Sequence, residues 1–197
     1  MQLLVATNNP GKVREYADLL DGLGLELLGL AGIGLGNGVD ETGQTFVENA
    51  QLKAQAYCRA SRLLTLADDS GLEVEALGGA PGVHSARYAG PMASDADRIR
   101  KLLTALCSVP AEQRAARFRC VIALAWPDGR LETFEGQCEG VIAFEPKGTN
   151  GFGFDPIFYL PELGCTMAEL PQDVKNRISH RAQAAELARK RLKSEAR

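Results

Sequence analysis

Histidine is nearly missing from this chain, with two among 197 residues. That is too few for the imidazole-rich ligand sets that hold zinc, copper or non-haem iron. The five cysteines, at 58, 107, 120, 138 and 165, are odd in number, widely spaced and never CxxC. This sets aside a disulfide framework and a structural zinc, and leaves small buried hydrophobes in a reducing compartment. Long apolar runs are lacking too: no stretch approaches the roughly 18 residues of a membrane span. The opening residues, MQLLVATNN, enter a strand with no basic leader region. The expectation is a cytoplasmic protein with no membrane partner. Nor is there an excess of positive charge. A net charge of −3 gives no bulk electrostatic case for a nucleic-acid partner. Repeats, low-complexity tracts and linkers are absent, so residues 1–197 read as one domain. What is present is ordinary for a globular chain, 45% hydrophobic and 24% charged, enough for one core or for two lobes sharing a sheet.

The sequence is organised around Leu64 to Tyr88, LTLADDSGLEVEALGGAPGVHSARY. Leu64 to Ala67 has the length and composition of a buried strand. Asp68 and Asp69 follow, and Ser70-Gly71 permits a sharp turn. A second alternating run, Leu72, Val74 and Leu77, leads to a glycine-rich loop, Gly78 to Gly82. Acidic residues at a strand end facing a loop that carries an arginine can present a metal to a phosphate, although an Asx-turn with solvated acids would look alike.

Upstream, Gln2 to Thr7 predicts a strand, and Thr7-Asn8-Asn9-Pro10-Gly11-Lys12 leads into a helix with Val13, Tyr16, Ala17, Leu20 and Leu23 on its apolar side. Asn as N-cap with Pro at the first helical position marks the start. Free N–H groups at such a terminus suit a phosphate, and Lys12 in the first turn works against the helix dipole unless an anion lies near. The loop lacks GxxxxGK[ST] and is no Walker A motif. Leu25 to Leu30 predicts a second strand, and the glycine-rich segment 32–38 a mobile edge. Thr45-x-x-Glu48 is a capping box for a helix to about Arg62. Lys53 shares its apolar stripe with Phe46, Ala50, Ala54 and Tyr57, either snorkelling or held by an anionic ligand. Glu41 stands on the preceding loop.

Downstream, Ser94-x-x-Asp97 caps a helix bearing Ile99, Leu102, Leu103 and Leu106, with Pro110 beyond its end. Residues 117–126 alternate as a strand, with Arg114, Arg117 and Arg119 expected in solvent, and Asp128-Gly129 turns it into a hairpin running toward Phe144. In the irregular stretch 146–156, Phe152 and Phe154 either plug a core or stack on a planar ligand, and Asp155 could accept from a base edge. A short helix passes through Lys175. Ser179 is a candidate N-cap for the last helix, placing His180 and Arg181 beside its orphan N–H groups, where donor side chains suit an anion or a polar ring. The tail ARKRLKSEAR reads as a solvated helix end.

Donors at Thr7 to Lys12, Lys53 and His180-Arg181, with carboxylates Glu41, Asp68 and Asp69 and an aromatic loop, describe a nucleoside polyphosphate site. Oxygen ligands without histidine suit Mg²⁺. TNNPGK (7–12), ETGxTFxENAxxKA (41–54), ADDSGLxVxALGGxPGxxSARY (67–88), GFGFDPIF (151–158) and SHR (179–181), in this order over essentially the whole chain, resemble the inosine triphosphate pyrophosphatase (Ham1) family.

The resemblance implies an α/β fold, elongated and two-lobed around a long mixed twisted sheet with flanking helices and a substrate cleft between the lobes, assembled as a homodimer. It implies hydrolysis of dITP, ITP and XTP to the monophosphate and pyrophosphate. Within its motifs, Thr7, Asn8, Asn9, Pro10, Gly11 and Lys12 would bind the triphosphate with Lys53. Asp69 would be general base and metal ligand, with Glu41 and Asp68 completing the Mg²⁺ environment. Ser70 would contact substrate. Phe152, Gly153, Phe154, Asp155, Lys175, His180 and Arg181 would form the nucleoside pocket. Phe154 stands where many members have Tyr. The alternatives are a Maf-like pyrophosphatase, against which SHR and the GGxPG loop speak, and a non-catalytic nucleotide-binding module, against which the carboxylates speak.

Overall fold

Leucine and valine at 3–5 and an apolar run from Leu64 build adjacent strands of a seven-stranded sheet. In this computed structural model, which describes residues 1–36 and 38–195, the strands are β1 (Gln2–Val5), β2 (Glu26–Gly29), β3 (Leu64–Val74), β4 (Ala115–Ala125), β5 (Leu131–Ile142), β6 (Phe158–Leu160) and β7 (Cys165–Thr166). Their order is β2-β1-β3-β4-β5-β6-β7. Pairing is parallel for β2-β1-β3 and antiparallel for β5-β6-β7, so the sheet is mixed, as the fold class requires. The helices are α1 (Pro10–Leu19), α2 (Phe46–Ser61), α3 (Asp95–Ala105), α4 (Gln172–Ile178) and α5 (His180–Glu195). Asn37, within the segment expected to be a mobile edge, lies outside the described residues.

The chain divides into two discontinuous units. The first comprises Met1–Asp69, Cys120–Gly136 and His180–Arg197. Its core joins Leu3 and Val5, Tyr16 and Leu20 of α1, Leu64 and Leu66, Cys120, Ile122 and Leu124, and Ala184, Ala185, Ala188 and Leu192 of α5. The second comprises Ser70–Arg119 and Gln137–Ser179, with a core of Leu72, Val74, Ile99, Leu102, Phe118, Ile142, Phe154, Phe158 and Met167 among others.

Both expected capping boxes are present, at Thr45/Glu48 and Ser94/Asp97. Four local expectations are corrected. No turn forms at Ser70-Gly71: β3 runs on to Val74, because both aspartates meet cations where they stand and need not bend out to water. On α1, Val13 and Ala17 face outward while Glu15 is buried, because an arginine of α5 neutralises it. Arg114 is not in solvent. It is buried and donates to the carbonyls of Leu106, Val109 and Ala143, which ties three chain segments together. The described part of the tail is not merely solvated. Ala188 and Leu192 are buried, Arg189 donates to the carbonyls of Leu19 and Asp21, and Arg191 pairs with Glu132.

Candidate active site

Successive strand residues point to opposite faces, and β3 uses this to separate its two carboxylates. Leu64, Leu66 and Asp68 face α1 and α5, while Thr65, Ala67 and Asp69 face α2. On the first face the TNNPGK loop is built by its own side chains. Thr7 Oγ1 accepts from the Asn9 N–H at 3.2 Å. Asn9 Oδ1 accepts from the N–H groups of Gly11 at 2.8 Å and Lys12 at 3.3 Å, and Pro10 opens the helix. Asn8, Asn9 and Pro10 are exposed and Gly11 is buried. The cap holds Lys12 in the first turn, where its Nζ lies 2.9 Å from Asp68 Oδ2. Arg181, in the first turn of α5, places Nε 3.4 Å from the same oxygen and pairs through its other end with Glu15. Cys120 Sγ lies 3.7 Å from it. Oδ2 thus gathers three donors, whereas Asp68 Oδ1 is buried and has no hydrogen-bond partner among the described residues.

On the second face, Lys53 Nζ stands between Glu41 Oε1 at 2.6 Å and Asp69 Oδ1 at 3.1 Å. Asn49 Nδ2 donates to Asp69 Oδ2 at 3.3 Å. Asn49 is itself oriented by the Gly43 N–H, which donates to its Oδ1 at 2.8 Å. A Cβ at Gly43 would come within 2.7 Å of that oxygen, so glycine is what lets the Glu41 loop lie against α2. Lys53 is therefore neither snorkelling nor waiting for an outside anion. It is an inward cation already matched by two carboxylates.

The electrostatics separate the two aspartates. Burial alone would raise Asp68, but Lys12, Arg181 and Lys53 reverse this and hold its carboxyl far below the usual carboxylate range. Asp69 moves the other way. Burial raises it, Glu41 adds to the rise, and Lys53 and Lys12 only partly offset it. Burial would lower the Lys53 ammonium, but Asp69, Asp68 and Glu41 leave it above its ordinary value. Arg181, despite burial, is stabilised as a cation by Glu15 and Asp68. The Cys120 thiol is pushed up to about 12 by burial and then by Asp68, so it is a neutral wall of the site and no nucleophile.

The second unit holds the aromatic loop. Phe154 is core, buried and edge-on to Tyr88, whereas Phe152 is half-buried with Lys175 Nζ 4.9 Å from its ring centre. Of the two roles weighed for them, Phe154 takes the core one. Asp155 Oδ2 accepts from the Phe152 N–H at 2.9 Å and from Lys175 Nζ at 2.6 Å, Asp155 and Lys175 both being buried. The Gly153 N–H donates to Asp95 Oδ2 at 2.7 Å. Gly151 has φ +74°, and a Cβ there would fall 2.0 Å from Asp155 Oδ2. Ser70 is half-buried and next along β3 after Asp69, and His180 is buried at the start of α5.

Of the predicted residues, the structure gathers Lys12, Asp68 and Arg181 in one group, Glu41, Lys53 and Asp69 in a second, and Phe152 to Asp155 with Lys175 in a third. Sequence reasoning missed Glu15, Asn49, Cys120 and Asp95. The spacing of Glu15, one turn beyond Lys12, and of Asn49, on the apolar side of α2, could have flagged two of them; a lone cysteine and a first-turn aspartate carry no such signal. No three His, Cys, Asp or Glu side chains gather about one point among the described residues. Glu41 and Asp69, which share the α2 face of β3, are oxygen donors of the kind Mg²⁺ takes, completing its shell with water and substrate phosphate, whereas Asp68 is turned to the other face and held by Lys12 and Arg181.

Comparison with known proteins follows the same lines. The sequence profile of the Ham1 family matches residues 3–191. The dITP/XTP pyrophosphatase of Geobacillus kaustophilus is 54% identical over 183 residues, 93% of this chain and 90% of that protein. That of Bacillus subtilis is 48% identical over 193 residues, 98% of each. Among solved structures, the Ham1 protein of Staphylococcus aureus superposes with a TM-score of 0.89 at 42% identity, covering 99% of this chain and 100% of that one. A HAM1 protein from Coxiella burnetii gives 0.90 at 44% identity, covering 98% and 99%.

Proposed function

The chain belongs to the Ham1 family, and from that premise we propose that it is a pyrophosphatase hydrolysing dITP, ITP and XTP to the nucleoside monophosphate and pyrophosphate. The observation that carries this reading is the pairing of a buried, upward-shifted Asp69 with Lys53 and Asn49, beside a downward-shifted Asp68 held by Lys12. Two carboxylates pushed apart by their surroundings take different roles. Asp69, whose raised affinity for a proton suits a base, takes the proton of the attacking water. As the water oxygen bonds to the α-phosphorus, the bond from that phosphorus to the α–β bridging oxygen breaks and pyrophosphate leaves with the electron pair. Asn49 and Lys53 orient the Asp69 carboxylate and limit how far its pKa climbs. Lys12 and the capped N-terminus of α1 offer positive charge to the leaving pyrophosphate. Mg²⁺, held by Glu41 and Asp69 on the α2 face of β3, would supply Lewis-acid neutralisation of the phosphate oxygens, while Asp68 on the other face holds Lys12.

For the nucleoside, Phe152 offers a ring face for stacking, while Asp155 and Asp95 fix the backbone on which it stands. The N–H groups of Phe152 and Gly153 are taken up by Asp155 and by Asp95 of α3, so within this unit a hydrogen bond to a 6-oxo group falls to Lys175. Donors directed at that oxygen would be left unmatched by the amino group of adenine, the mismatch that gives large discrimination. The reaction belongs in the cytoplasm, where nucleotide pools are used, and the active form is a homodimer, which sedimentation would test. No helix among the described residues is long and apolar enough to cross a membrane.

Pyrophosphate release from dITP with Mg²⁺, against dGTP and dATP, tests the reaction and its selectivity together. Release confined to dITP is expected. Equal turnover of all three would discard the selectivity, and no release with dITP still bound would make the chain a nucleotide-binding module.

A further inference from the structure

None of the five motifs behind the resemblance includes α3, yet its first turn reaches the loop that carries Phe152. The two peptide planes that flank the Phe152 Cα are each held by a carboxylate. The plane before it is held from inside the loop, where the Phe152 N–H donates to Asp155 Oδ2 at 2.9 Å. The plane after it is held from outside, where the Gly153 N–H donates to Asp95 Oδ2 at 2.7 Å across 58 positions of sequence. Gly153 sits at φ +64°, and a Cβ there would meet nothing within 4 Å. Packing therefore does not fix this plane, and glycine leaves it free to turn. Its orientation depends on Asp95.

Asp95 is itself held. It opens α3 directly after the Ser94 cap, and its Oδ1 accepts from Arg98 Nη1. Arg98 Nη2 donates to the Ala93 carbonyl at 2.6 Å, so the guanidinium is pinned through two nitrogens. The third, Nε, is buried with no hydrogen-bond partner among the described residues, a cost that a solvated surface pair would not carry. An acid in the first turn and an (i, i+3) ion pair are ordinary helix features. They account for one Asp95 oxygen. The other leaves the helix for Gly153.

We propose that Arg98 and Asp95 form a brace from α3 to the nucleoside loop, positioning residues that set the Phe152 ring without touching substrate. This rests on the reading of Phe152 as the surface on which the base stacks. Arg98 fixes the orientation of the Asp95 carboxylate, Asp95 fixes the peptide plane after Phe152, and the ring keeps the angle at which a base can stack. The brace serves the base and not the phosphates, so its loss separates the two halves of the substrate.

The experiment compares wild type, Asp95→Ala, Arg98→Met, their double variant and Asp97→Ala. The last removes another first-turn acid of α3, one bound to Ser94 and Arg100. Amide exchange at Gly153 is followed without nucleotide, then kcat and KM for dITP, and then inhibition by inorganic tripolyphosphate, which carries no base. Expected for Asp95→Ala are Gly153 exchange and a KM for dITP each raised about tenfold, with kcat and tripolyphosphate inhibition near wild type. Arg98→Met should raise both about threefold. The double variant should be no worse than Asp95→Ala, because Arg98 acts through Asp95. Asp97→Ala should lower the thermal midpoint and leave Gly153 exchange and KM at wild-type values. Unchanged Gly153 exchange in Asp95→Ala, equal losses toward dITP and tripolyphosphate, or a double variant showing both single losses multiplied would reduce the pair to helix stabilisation. If Asp95→Ala does not fold, Arg98→Met decides by the first two criteria. Absence of pyrophosphate release from wild type, or a wild-type KM in Phe152→Ala, would instead remove the parent reading, which the nucleotide-free exchange keeps distinct from failure of the brace.

Discussion

Asp69 must stay ionised in a place where burial opposes ionisation, and Lys53, Lys12 and Asn49 make that tolerable. A carboxylate whose pKa is raised on folding holds its proton more tightly in the native state. Its charge therefore costs stability as pH rises through the native pKa, and at neutral pH that cost is fully present. Asp69→Asn is accordingly expected to raise the thermal midpoint by roughly 2 °C, the shift that under 1 kcal/mol makes in a chain of this size. The same change is expected to lower turnover by about a hundred- to ten-thousand-fold, the usual worth of a general base. A less stable variant, or one that retains wild-type turnover, would remove Asp69 from the base role. Lys53 tests the same balance from the other side. Its positive charge lowers Asp69, so in Lys53→Met the acidic limb of kcat/KM for dITP should move to higher pH. A limb that stays put while kcat/KM falls would mean that Lys53 serves the phosphates alone.

The elements that position these groups were legible wherever a local rule sets them. The capping boxes of α2 and α3 and the Asn9 cap follow from side chains within a few residues of one another, and the structure has them all. What was not legible depends on partners far away in sequence. Nothing near Ser70-Gly71 says that Asp68 will meet Lys12 and Arg181, and without those partners a turn at the two acids is the better reading. Glu15 was passed over for the same reason, its partner lying 166 positions on. The 151–158 loop shows what local composition can and cannot supply: the glycines were evident, but not that Gly151 is required by the approach of Asp155 and Lys175. Gly151→Ala combines a positive φ with a Cβ 2.0 Å from Asp155 Oδ2, so it must break the hydrogen bond from the Phe152 N–H and shift that ring. The expected result is a KM for dITP raised about tenfold, corresponding to roughly 1.4 kcal/mol of lost binding, with the pH dependence of kcat unchanged. An unaltered KM would separate this loop from the nucleoside.

At the scale of the whole molecule, a chain of net charge −3 concentrates ionisable groups at one buried network, Glu15, Arg181, Asp68 and Lys12. Most of its surface pairs are exposed and contribute little, Asp173–Arg177 among them. Acid stability should therefore depend on the network far more than on the surface. The native pKa of Asp68 is depressed. The stability it confers is complete above the ordinary aspartate value of about 3.9 and is lost as pH falls below that toward the native value. Replacing Asp68 by Asn removes a partner from the buried Arg181 and the half-buried Lys12, for which a loss of about 3 kcal/mol is the expected scale. Urea unfolding of wild type and Asp68→Asn should then show a constant gap from neutral pH down to about pH 5, narrowing steadily below about pH 4 as Asp68 of the unfolded wild-type chain takes up a proton that the native carboxylate still refuses. Asp173→Asn is the control and should track wild type throughout. A gap for Asp68→Asn that persists unchanged in acid would mean that packing of the carboxyl group, and not its charge, holds α1 and α5 to β3.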